Sequence, residues 1–466
     1  MFVRPLASEG GEESDGSRVE LVHDHPAETA IEAVGLDAQT RQPWTTMPAR
    51  IMPEATRSPV SDEAISELFL GLLRRTHLSA ASDLAEIVAA EAAGIGAQEV
   101  VLYLADFEQA TLVPLSSQAA PHAQPQSVGG TVAGRAFATT SVVTTSSDMG
   151  HRQRVWLPLL DGTERLGVME MSFDGAEVGQ RTVEVCERYA HLVAMLVVTK
   201  GMYSDVFEVA RRRRPATIAA DLARTLAPPL VFAIDGLTVA SLLEPCYDNG
   251  GDALDYALNG RILHVGVFDA MGHGLAAVGV AAFAISAYRN SRRRGCDLLE
   301  THGAMNEAVE EQFPDRRFVT AVIAELDLDS GDLAWVSAGH PPPLLIRGTR
   351  RARTLHAPAA TPLGVGLPGR PPTVSHTSLE PGDLVLFYTD GLTDARDQDG
   401  RRFGTDGLSR FIEREASAGH PAPETLRRLR QALVRREQAR LGDDATALLV
   451  EWRRDTERAL VPQTVL

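Results

Sequence analysis

The sequence predicts an α+β protein in which a smaller module of helices and strands precedes stacked β-sheets with helices outside. At 466 residues the chain exceeds the usual size of one hydrophobic core, so more than one folded unit is expected. Residues 61–200 alternate amphipathic helices with short strands, whereas several strands after residue 230 are apolar on both faces. Strands of that second kind are covered on both sides, which predicts sheets lying between layers of helices.

Charge and cysteine content exclude several classes of protein. The 45 basic and 62 acidic residues give a net charge of −17, which argues against nucleic-acid binding because that function relies on clustered lysine and arginine. The three cysteines, Cys186, Cys246 and Cys296, include no C-x-x-C pair, which argues against a disulfide framework or a zinc site. No segment approaches the roughly 18 apolar residues of a spanning helix and none has the pattern of a signal peptide, so we expect a cytoplasmic protein without membrane contact.

The N-terminal module is expected to follow a disordered leader, residues 1–60, whose Pro, Gly, Ser and acidic residues show no hydrophobic period. Ser61 is placed to cap a first helix whose apolar residues share one face: Ile65, Leu68, Phe69 and Leu72. The rest of the module, residues 61–200, is predicted as a second helix in "SDLAEIVAAEAAGIG", a strand in "EVVLYLAD", a hairpin around Asp161-Gly162 and a helix over 179–200.

Residues 201–229 are predicted to form a helical linker with a regulatory role. Pro215 can begin a helix that Pro228-Pro229 ends, and one face of this helix carries an apolar stripe of Ile218, Leu222 and Leu226. We expect the stripe to pack on the C-terminal domain in one state and on a second protomer in another. The arginine run at 211–214 is interpreted as a solvated face of the linker, and the alternative is a docking surface for an acidic partner.

The C-terminal domain, residues 230–454, is predicted from its pattern of strands and helices. Strands are expected in "LTVASLLEP", "RILHVGVFD", "PLLIRG", "GDLVLFYTD" and "ATALLVEW", and a hairpin turning at 329–331 in "FVTAVIAELDLDSGDLAWVSAG". Helices are expected near 274–293, 298–312, 405–417 and 423–440, and residues 455–466 are interpreted as a C-terminal tail.

Aspartates lie at the edges of several of these apolar strands. Asp269 and Asp390 each end a strand, Asp443 and Asp444 precede one, and Asp252 follows a glycine pair. A single such aspartate is readily explained as a turn residue. Carboxylates converging from several strand ends would repel one another and lose solvation, and a pair of hard cations such as Mg²⁺ or Mn²⁺ removes that cost.

The motifs around these aspartates resemble the SpoIIE-type, RsbU-like branch of the PPM family of metal-dependent serine/threonine protein phosphatases. The motifs are "NGGD", "FDAMGHGLAA", "VSAGHPPPLLI", "PLGVG", "PGDLVLFYTDGLTDARD", "RFG" and "GDDATALLV", and the resemblance covers roughly residues 217–453. It implies an α-β-β-α sandwich with two metal ions at one end of the sheets. By layout alone, residues 61–200 resemble a GAF sensor domain, and a generic α+β module is the alternative.

The resemblance also implies a ligand set for two divalent cations, Mn²⁺ or Mg²⁺. Asp269 would bridge both ions, Asp390 and Asp443 would complete one site, and Asp252 with the backbone carbonyl of Ala270 would serve the other. Asp443 fits the family pattern better than the adjacent Asp444. The cations would activate a water for in-line attack on phosphorus, so Asp269 and Asp390 are the predicted catalytic residues.

Glycine residues in the same motifs are expected to let the backbone approach the ions, at Gly272 and Gly391. The chain departs from the family in reading "ALDY" after its Gly-Gly-Asp, which is expected to alter packing rather than metal binding, and no arginine can be assigned to the phosphate. His273 is interpreted as a structural residue near a helix start, with proton donation to the leaving group as the alternative. His340 is interpreted as a turn residue.

Two rival functions remain to be weighed against a phosphatase. "GHGLAA" superficially resembles the glycine box of a histidine-kinase-type ATPase, but that fold needs an upstream Asn helix that is not found, and no Gly-Lys-Ser/Thr follows for a P-loop. The second rival is a catalytically silent phosphatase-like binding switch. The presence of all the metal-binding acids favours the enzyme.

By resemblance, the substrate is a phosphorylated anti-sigma-factor antagonist of the STAS type, and the opposing kinase is expected to be another protein. A small ligand at the GAF-like module and a homodimer through the 180–200 helix are also expected.

Overall fold

The structure is a computed structural model that describes residues 60–118, 120–146, 152–175, 178–244, 247, 250–315, 317–348, 352–358, 360–366, 370–397, 399–436 and 443–461. All of these residues belong to one unit of the chain, Thr56–Leu466. The predicted leader lies outside the described residues except for Val60, as do Cys246 and the end of the predicted tail. None of the described helices is both long and apolar enough to cross a bilayer.

The N-terminal module is a six-stranded antiparallel sheet with helices on both faces. Its helices are α1 (Asp62–Thr76), α2 (Leu84–Ala92), α3 (Val132–Thr139) and α4 (Gln180–Gly201). Its strands are β1 (Ala97–Ala105), β2 (Thr111–Pro114), β3 (Gln126–Ser127), β4 (Val143–Ser146), β5 (Arg152–Asp161) and β6 (Glu164–Asp174), arranged in the order β3-β2-β1-β6-β5-β4.

Local signals in the sequence place the first elements of this module correctly. The Ser61 hydroxyl accepts a hydrogen bond from the Ala64 N–H at 3.2 Å, which caps α1, and Leu68 and Leu72 are buried. Gly96 ends the second helical segment in the left-handed region, with φ of 88°. The predicted β5–β6 hairpin and α4 are confirmed, whereas α3 and the short strands β2, β3 and β4 were not predicted. The GAF assignment itself stays a prediction.

The linker contains two helices, α5 (Val206–Arg211) and α6 (Ile218–Leu226). The prediction that Pro215 begins the second helix is wrong, because Thr217 caps α6 by accepting a hydrogen bond from the Ala220 N–H at 3.1 Å. The buried face of α6 is formed by alanines rather than by the predicted stripe: Ala219, Ala220 and Ala223. Of the stripe, Leu222 and Leu226 are half-buried and Ile218 is 73% exposed.

The interpretation of the arginine run as a solvated face holds for Arg213 and Arg214, which are exposed, but not for Arg211 and Arg212, which are partly buried. Arg211 donates from Nε to the carbonyl of Ala105 at 2.9 Å and stacks its guanidinium on Phe107. Arg214 pairs with Glu108 at 3.1 Å, and Arg212 with Asp221 at 2.7 Å. Planar guanidinium groups can pack on rings and satisfy carbonyls at the same time, so a run of charges can form internal contacts instead of a solvated surface.

The C-terminal domain is built from two sheets. The first has the order β15-β12-β11-β10-β9 and the second β14-β13-β16-β17-β8-β7. The strands are β7 (Val231–Ile234), β8 (Leu237–Glu244), β9 (Asp252–Asn259), β10 (Ile262–Ala270), β11 (Val319–Asp327), β12 (Asp332–Ala338), β13 (Leu344–Ile346), β14 (Arg353–Thr354), β15 (Ser375–Ser378), β16 (Leu384–Tyr388) and β17 (Ala445–Trp452). The helices are α7 (Leu275–Arg293), α8 (Leu298–Gln312), α9 (Asp390–Asp394), α10 (Gly404–Ser417) and α11 (Ala422–Arg436).

These elements form an α-β-β-α sandwich, as expected. The inner faces of the two sheets share one apolar core. Helices α7 and α8 cover the outer face of the first sheet, and α10 and α11 cover that of the second. The "ALDY" segment belongs to a strand, β9, that was not predicted. Residues 457–460 of the predicted tail form a 3₁₀ turn whose Ala459 carbonyl accepts a hydrogen bond from the Thr140 hydroxyl at 2.8 Å.

Candidate metal centre

The antiparallel register of the first sheet sets two aspartates side by side. Asp252, the first residue of β9, lies directly opposite Asp269, the penultimate residue of β10. The alternation of buried apolar residues along β10 fixes this register, since Leu263, Val265 and Val267 all point into the core between the sheets. The sequence showed only that Asp252 follows a glycine pair, and the structure makes it a strand residue with a fixed partner.

The second sheet brings the other predicted aspartates to the same end of the sandwich. Asp390 begins α9 immediately after β16, and Asp443 and Asp444 immediately precede β17, which pairs with β16. The Asp444 carboxylate joins the sheets by accepting a hydrogen bond from the Gly251 N–H at 2.7 Å. The acids that the sequence singled out are therefore assembled across both sheets.

Repulsion and burial act together on these carboxyl groups. The pKa of Asp269 is raised to about 6. Burial is the largest cause, and the negative charges of Asp390, Asp443 and Asp444 add to it. Asp252 is 3% exposed, and its burial together with the charge of Asp269 holds its pKa well above the usual range. Burial, followed by Asp394 and Asp443, also raises the pKa of Asp390. The aspartates thus share one uncompensated negative field.

Asp443 and Asp444 differ in environment. Asp443 is exposed at the rim, whereas Asp444 is buried and its pKa is raised to about 6, chiefly by burial. Asp444 also accepts from the Asp252 N–H at 3.4 Å, so it orders the glycine turn that carries Asp252. This arrangement leaves Asp443 as the predicted ligand and gives its neighbour a positioning role that sequence spacing did not reveal.

Glycines allow the backbone to close around the site. A methyl group at Gly251 would lie 2.9 Å from the Gly272 carbonyl oxygen and 3.1 Å from that of Ala270. Gly272 has φ of 91°, in the left-handed region. A methyl group at Gly391 would overlap the Asp444 carbonyl oxygen. Gly391 is therefore needed for close contact between the start of α9 and the backbone just before β17. Its predicted role in the approach of the backbone to an ion stays a prediction.

Two threonines that sequence reasoning missed hold the aspartates in place. The buried Thr389 hydroxyl donates to Asp252 at 2.6 Å and accepts from the Thr446 N–H at 2.9 Å. Thr320 lies opposite Asp269 on β11, and its hydrogen bond lowers the pKa of that carboxyl against the larger effect of burial. The available signal was the Thr that directly precedes Asp390 in "YTD", a small polar residue just after an apolar strand.

Replacing Thr389 with Val is expected to destabilise the protein by about 1–3 kcal/mol, because the Thr446 N–H loses its partner in a buried position. The metal-dependent phosphate hydrolysis that the family resemblance implies is expected to fall about tenfold as Asp252 loses its donor. Urea denaturation and steady-state rates measure the two effects. Thr389→Ser keeps the hydroxyl and should restore both, and a Ser variant as impaired as the Val variant would contradict this role.

The two histidines have different surroundings. His340 is 5% exposed, its Nδ1 lies 2.9 Å from the Thr320 hydroxyl, and burial lowers its pKa to about 3, so it is neutral and buried behind Asp269. The interpretation of His340 as a turn residue therefore misses its contact with Thr320, which in turn hydrogen-bonds Asp269. His273 is exposed beside Gly274, which precedes α7, and its charge acts to lower the pKa of Asp444.

The donor set fits hard divalent cations. Its groups are carboxylates and a backbone carbonyl, the ligands that Mg²⁺ and Mn²⁺ prefer, and their raised pKa values show negative charge that cations would offset. In the parts of the chain that the structure describes, no three His, Cys, Asp or Glu side chains form a ready-made metal-binding group. The fit therefore rests on donor chemistry and shared charge.

Sequence comparisons relate the sandwich to known proteins. Residues 259–453 match the family model "Stage II sporulation protein E (SpoIIE)". The phosphoserine phosphatase RsbU of Bacillus subtilis is 22% identical over 234 residues, which cover 50% of this chain and 68% of that protein. The phosphoserine phosphatase RsbP of the same organism is 27% identical over 134 residues, covering 28% of this chain and 32% of that protein.

Solved structures include similar chains. The RsbU and RsbW domains of Rv1364c from Mycobacterium tuberculosis are 29% identical, with a TM-score of 0.42, over 47% of this chain and 62% of that one. The SiaA-PP2C domain of Pseudomonas aeruginosa is 20% identical, with a TM-score of 0.43, over 50% of this chain and 94% of that one. The relationship of residues 259–453 to the SpoIIE family rests on the sequence matches.

Proposed function

Because residues 259–453 match the SpoIIE family model and the chain is similar to a phosphoserine phosphatase, we propose that it hydrolyses phosphoserine or phosphothreonine on a regulatory protein. The observation that carries this proposal is the convergence of aspartates from both sheets into one shared negative field, which raises the pKa values of Asp252 and Asp269. Such a field disfavours the folded protein unless cations offset it, and it gives two divalent cations a place to bind a phosphoryl group.

The proposal assigns each residue a task. Asp269 would serve both cations, Asp390 and Asp443 one of them, and Asp252 with the Ala270 carbonyl the other. Bound divalent cations would supply an activated water at neutral pH and offset the charge of the phosphoryl oxygens. Thr389 and Asp444 act through other groups, since they fix the orientation of Asp252 and the turn before it.

The surface beside the centre supports a protein substrate. Met271 and Leu275 flank His273 just after β10, and these two side chains are 54% and 55% exposed. Exposed apolar side chains at the mouth of a charged site offer contact area to a protein bearing the phosphate. We propose that this protein is an anti-sigma-factor antagonist of the STAS type, in keeping with the relationship to RsbU and RsbP.

Hydrolysis of an aryl phosphate by the purified chain, with and without Mn²⁺, tests the activity. Turnover is expected only with metal and is expected to be lost in Asp390→Asn. Asp406→Asn, an exposed aspartate on α10, is the matched control and should keep the wild-type rate. Failure to hydrolyse both the aryl phosphate and a panel of phosphorylated antagonists, despite metal binding, would favour the silent binding switch.

The linker offers a route for control by the N-terminal module. Ala219 on α6 lies against Gly250, so that a methyl group at Gly250 would be 3.1 Å from the Ala219 Cβ. The Thr217 N–H donates to the Tyr247 carbonyl at 2.8 Å, and Phe107 of the N-terminal module meets the Tyr247 ring edge to face. We propose that movements of the module reach Asp252 through these contacts.

Leu222→Asp is expected to change basal hydrolysis by about tenfold, because it puts a charge into the apolar contact of α6 with α7. Ile218→Asp makes the same change on the exposed side of the helix and should leave the rate unaltered. Rates of the full chain measure the effect. Equal rates for wild type and Leu222→Asp would remove α6 from the regulatory route.

Dimerisation through α4 is also proposed. Met195 and Val198 on α4 are 49% and 36% exposed, and Leu70 and Leu73 on α1 are 50% and 47% exposed. These apolar side chains lie on one module, which supports a homodimer of that module. A monomer at micromolar concentration in sedimentation analysis would contradict it.

A further inference from the structure

A cavity separate from the aspartates lies between the N-terminal module and the sandwich. Its volume is about 790 Å³, within the range of sites that hold small organic ligands. One wall is the beginning of α3 with the turn before it, and the other is the beginning of α11 with residues 459–460. No function described above uses this cavity.

Arginines dominate the charge of its walls. The lining contains Arg135, Arg165, Arg427 and Arg428, and Glu424 is the only carboxylate among the described lining residues. Glu424 accepts hydrogen bonds from Arg427 at 2.7 Å and from Arg428 at 2.8 Å, and it lies 3.9 Å from Arg165. Arg428 also reaches Glu415, at 3.5 Å. The walls therefore carry more positive charge than their carboxylates balance.

Arg165 is the most buried member of this group. It is 4% exposed, and its guanidinium stacks on Phe137 at 5.0 Å from the ring centre. Its Nε and the Nη1 of Arg427 are buried without a hydrogen-bond partner in the described part of the chain. Burial lowers the pKa of Arg165, although Glu424 acts in the opposite direction. Unsatisfied cationic donors in a buried position favour the arrival of an anion.

The opposite wall adds backbone donors. Gly129, Gly130 and Thr131 precede α3, and Gly130 has φ of 82°, which permits the tight turn. The Thr131 hydroxyl caps α3 by accepting from the Gly134 N–H at 2.9 Å. The first N–H groups of a helix lack partners within the helix and carry partial positive charge, which suits an anion.

We propose that this cavity binds a phosphate-bearing small molecule, held between the start of α3 and the arginines around Glu424. Guanidinium groups match phosphate oxygens in a bidentate manner, and the volume exceeds what inorganic phosphate alone would fill. A ligand here contacts both the N-terminal module and α11. The small ligand expected for that module would then be a phosphate-bearing molecule. The site does not depend on the phosphatase activity.

Isothermal titration of the full chain with AMP and with inorganic pyrophosphate, in EDTA, tests the site. EDTA removes divalent cations, so that the aspartate centre does not bind the probes. Saturable binding is expected for at least one probe, with adenosine giving none. The probes are tested up to about 10 mM, a concentration above a millimolar dissociation constant. If neither probe shows saturable binding in this range, the proposal is overturned.

Variants locate the binding. Arg427→Gln and Arg135→Gln are each expected to weaken it by about tenfold or more. Arg135 is exposed at the rim, so its variant keeps the test valid where Arg427→Gln lowers stability. Arg410→Gln, an exposed arginine on α10 outside the cavity lining, should bind as wild type. Binding that survives both lining variants but is lost in Asp269→Asn would place the anion at the aspartate centre and overturn the proposal.

Discussion

Replacing Asp269 with Asn is expected to lower metal-dependent hydrolysis by about 10²-fold or more while making the metal-free protein more stable. Asp269 lies opposite Asp252 in the strand pair, and the negative charges of Asp390, Asp443 and Asp444 repel its own. An amide keeps the size of the side chain and its place beside Thr320 but removes the charge. Loss of function and gain of stability should therefore appear in one variant.

The stability difference between the Asn variant and the wild type is expected to grow as the pH rises. The pKa of Asp269 is raised from 3.8 to about 6 in the folded chain, so the folded state disfavours its ionised form. The stability that protonation contributes is fully present below about pH 4 and is lost as the pH rises through about 6. At pH 7 the Asn variant should be more stable on the order of 2 kcal/mol, and near pH 4 the two proteins should match.

Urea denaturation in EDTA at pH 4, 5.5 and 7 measures this difference. Added Mn²⁺ should stabilise the wild type far more than the variant, because ligand binding to the folded state adds stability. A variant no more stable than wild type at pH 7 without metal would contradict the repulsion inferred from the structure.

Gly391→Ala is expected to lower hydrolysis by about 10²-fold and stability by about 2 kcal/mol or more. The added methyl group would overlap the Asp444 carbonyl oxygen, which is backbone and cannot rotate away. Relief requires the start of α9 to separate from the residues just before β17, which displaces Asp390 and Asp443 together.

The matched control is Gly303→Ala on α8, where a methyl group would meet no atom within 4 Å. Ala in a helix is favoured over Gly, so this variant should be slightly more stable and fully active. Melting temperatures and Mn²⁺-dependent rates separate the outcomes. Equal activity for Gly391→Ala and wild type would show that the backbone contact does not position Asp390.

The sequence predicted the parts of the fold that depend on local pattern. The period-two apolar residues of β10 and the Ser61 cap of α1 act through neighbours in the chain, so they can be read directly. The buried face of α6 could not be predicted, because its alanines fit only the close approach of Gly250 and α7. Of the predicted stripe, Leu222 and Leu226 still pack at the edge of the C-terminal core, and Ile218 is exposed.

The candidate site shows the same division. The aspartates were recognisable because several of them occur together at the edges of apolar strands, in motifs that follow one another along the chain. Asp444 and Thr389 act through hydrogen bonds to residues more than a hundred positions away, Gly251 and Asp252. No local pattern signals such partners. The partial burial of Arg211 was missed for the same reason, since its ring and carbonyl contacts come from the N-terminal module.

The position of β17 between β16 and β8 has a consequence for biosynthesis. Strand β8 is made more than two hundred residues before its partner, with Val239 pairing Val450 in the finished sheet. While the chain emerges from the ribosome, β8 and β16 each keep an unpaired edge until β17, their shared partner, has been translated. The residues just before β17 include Asp443 and Asp444, so the aspartate centre closes in the same event. A nascent chain halted before residue 443 would thus be inert as an enzyme and exposed to chaperones and proteases.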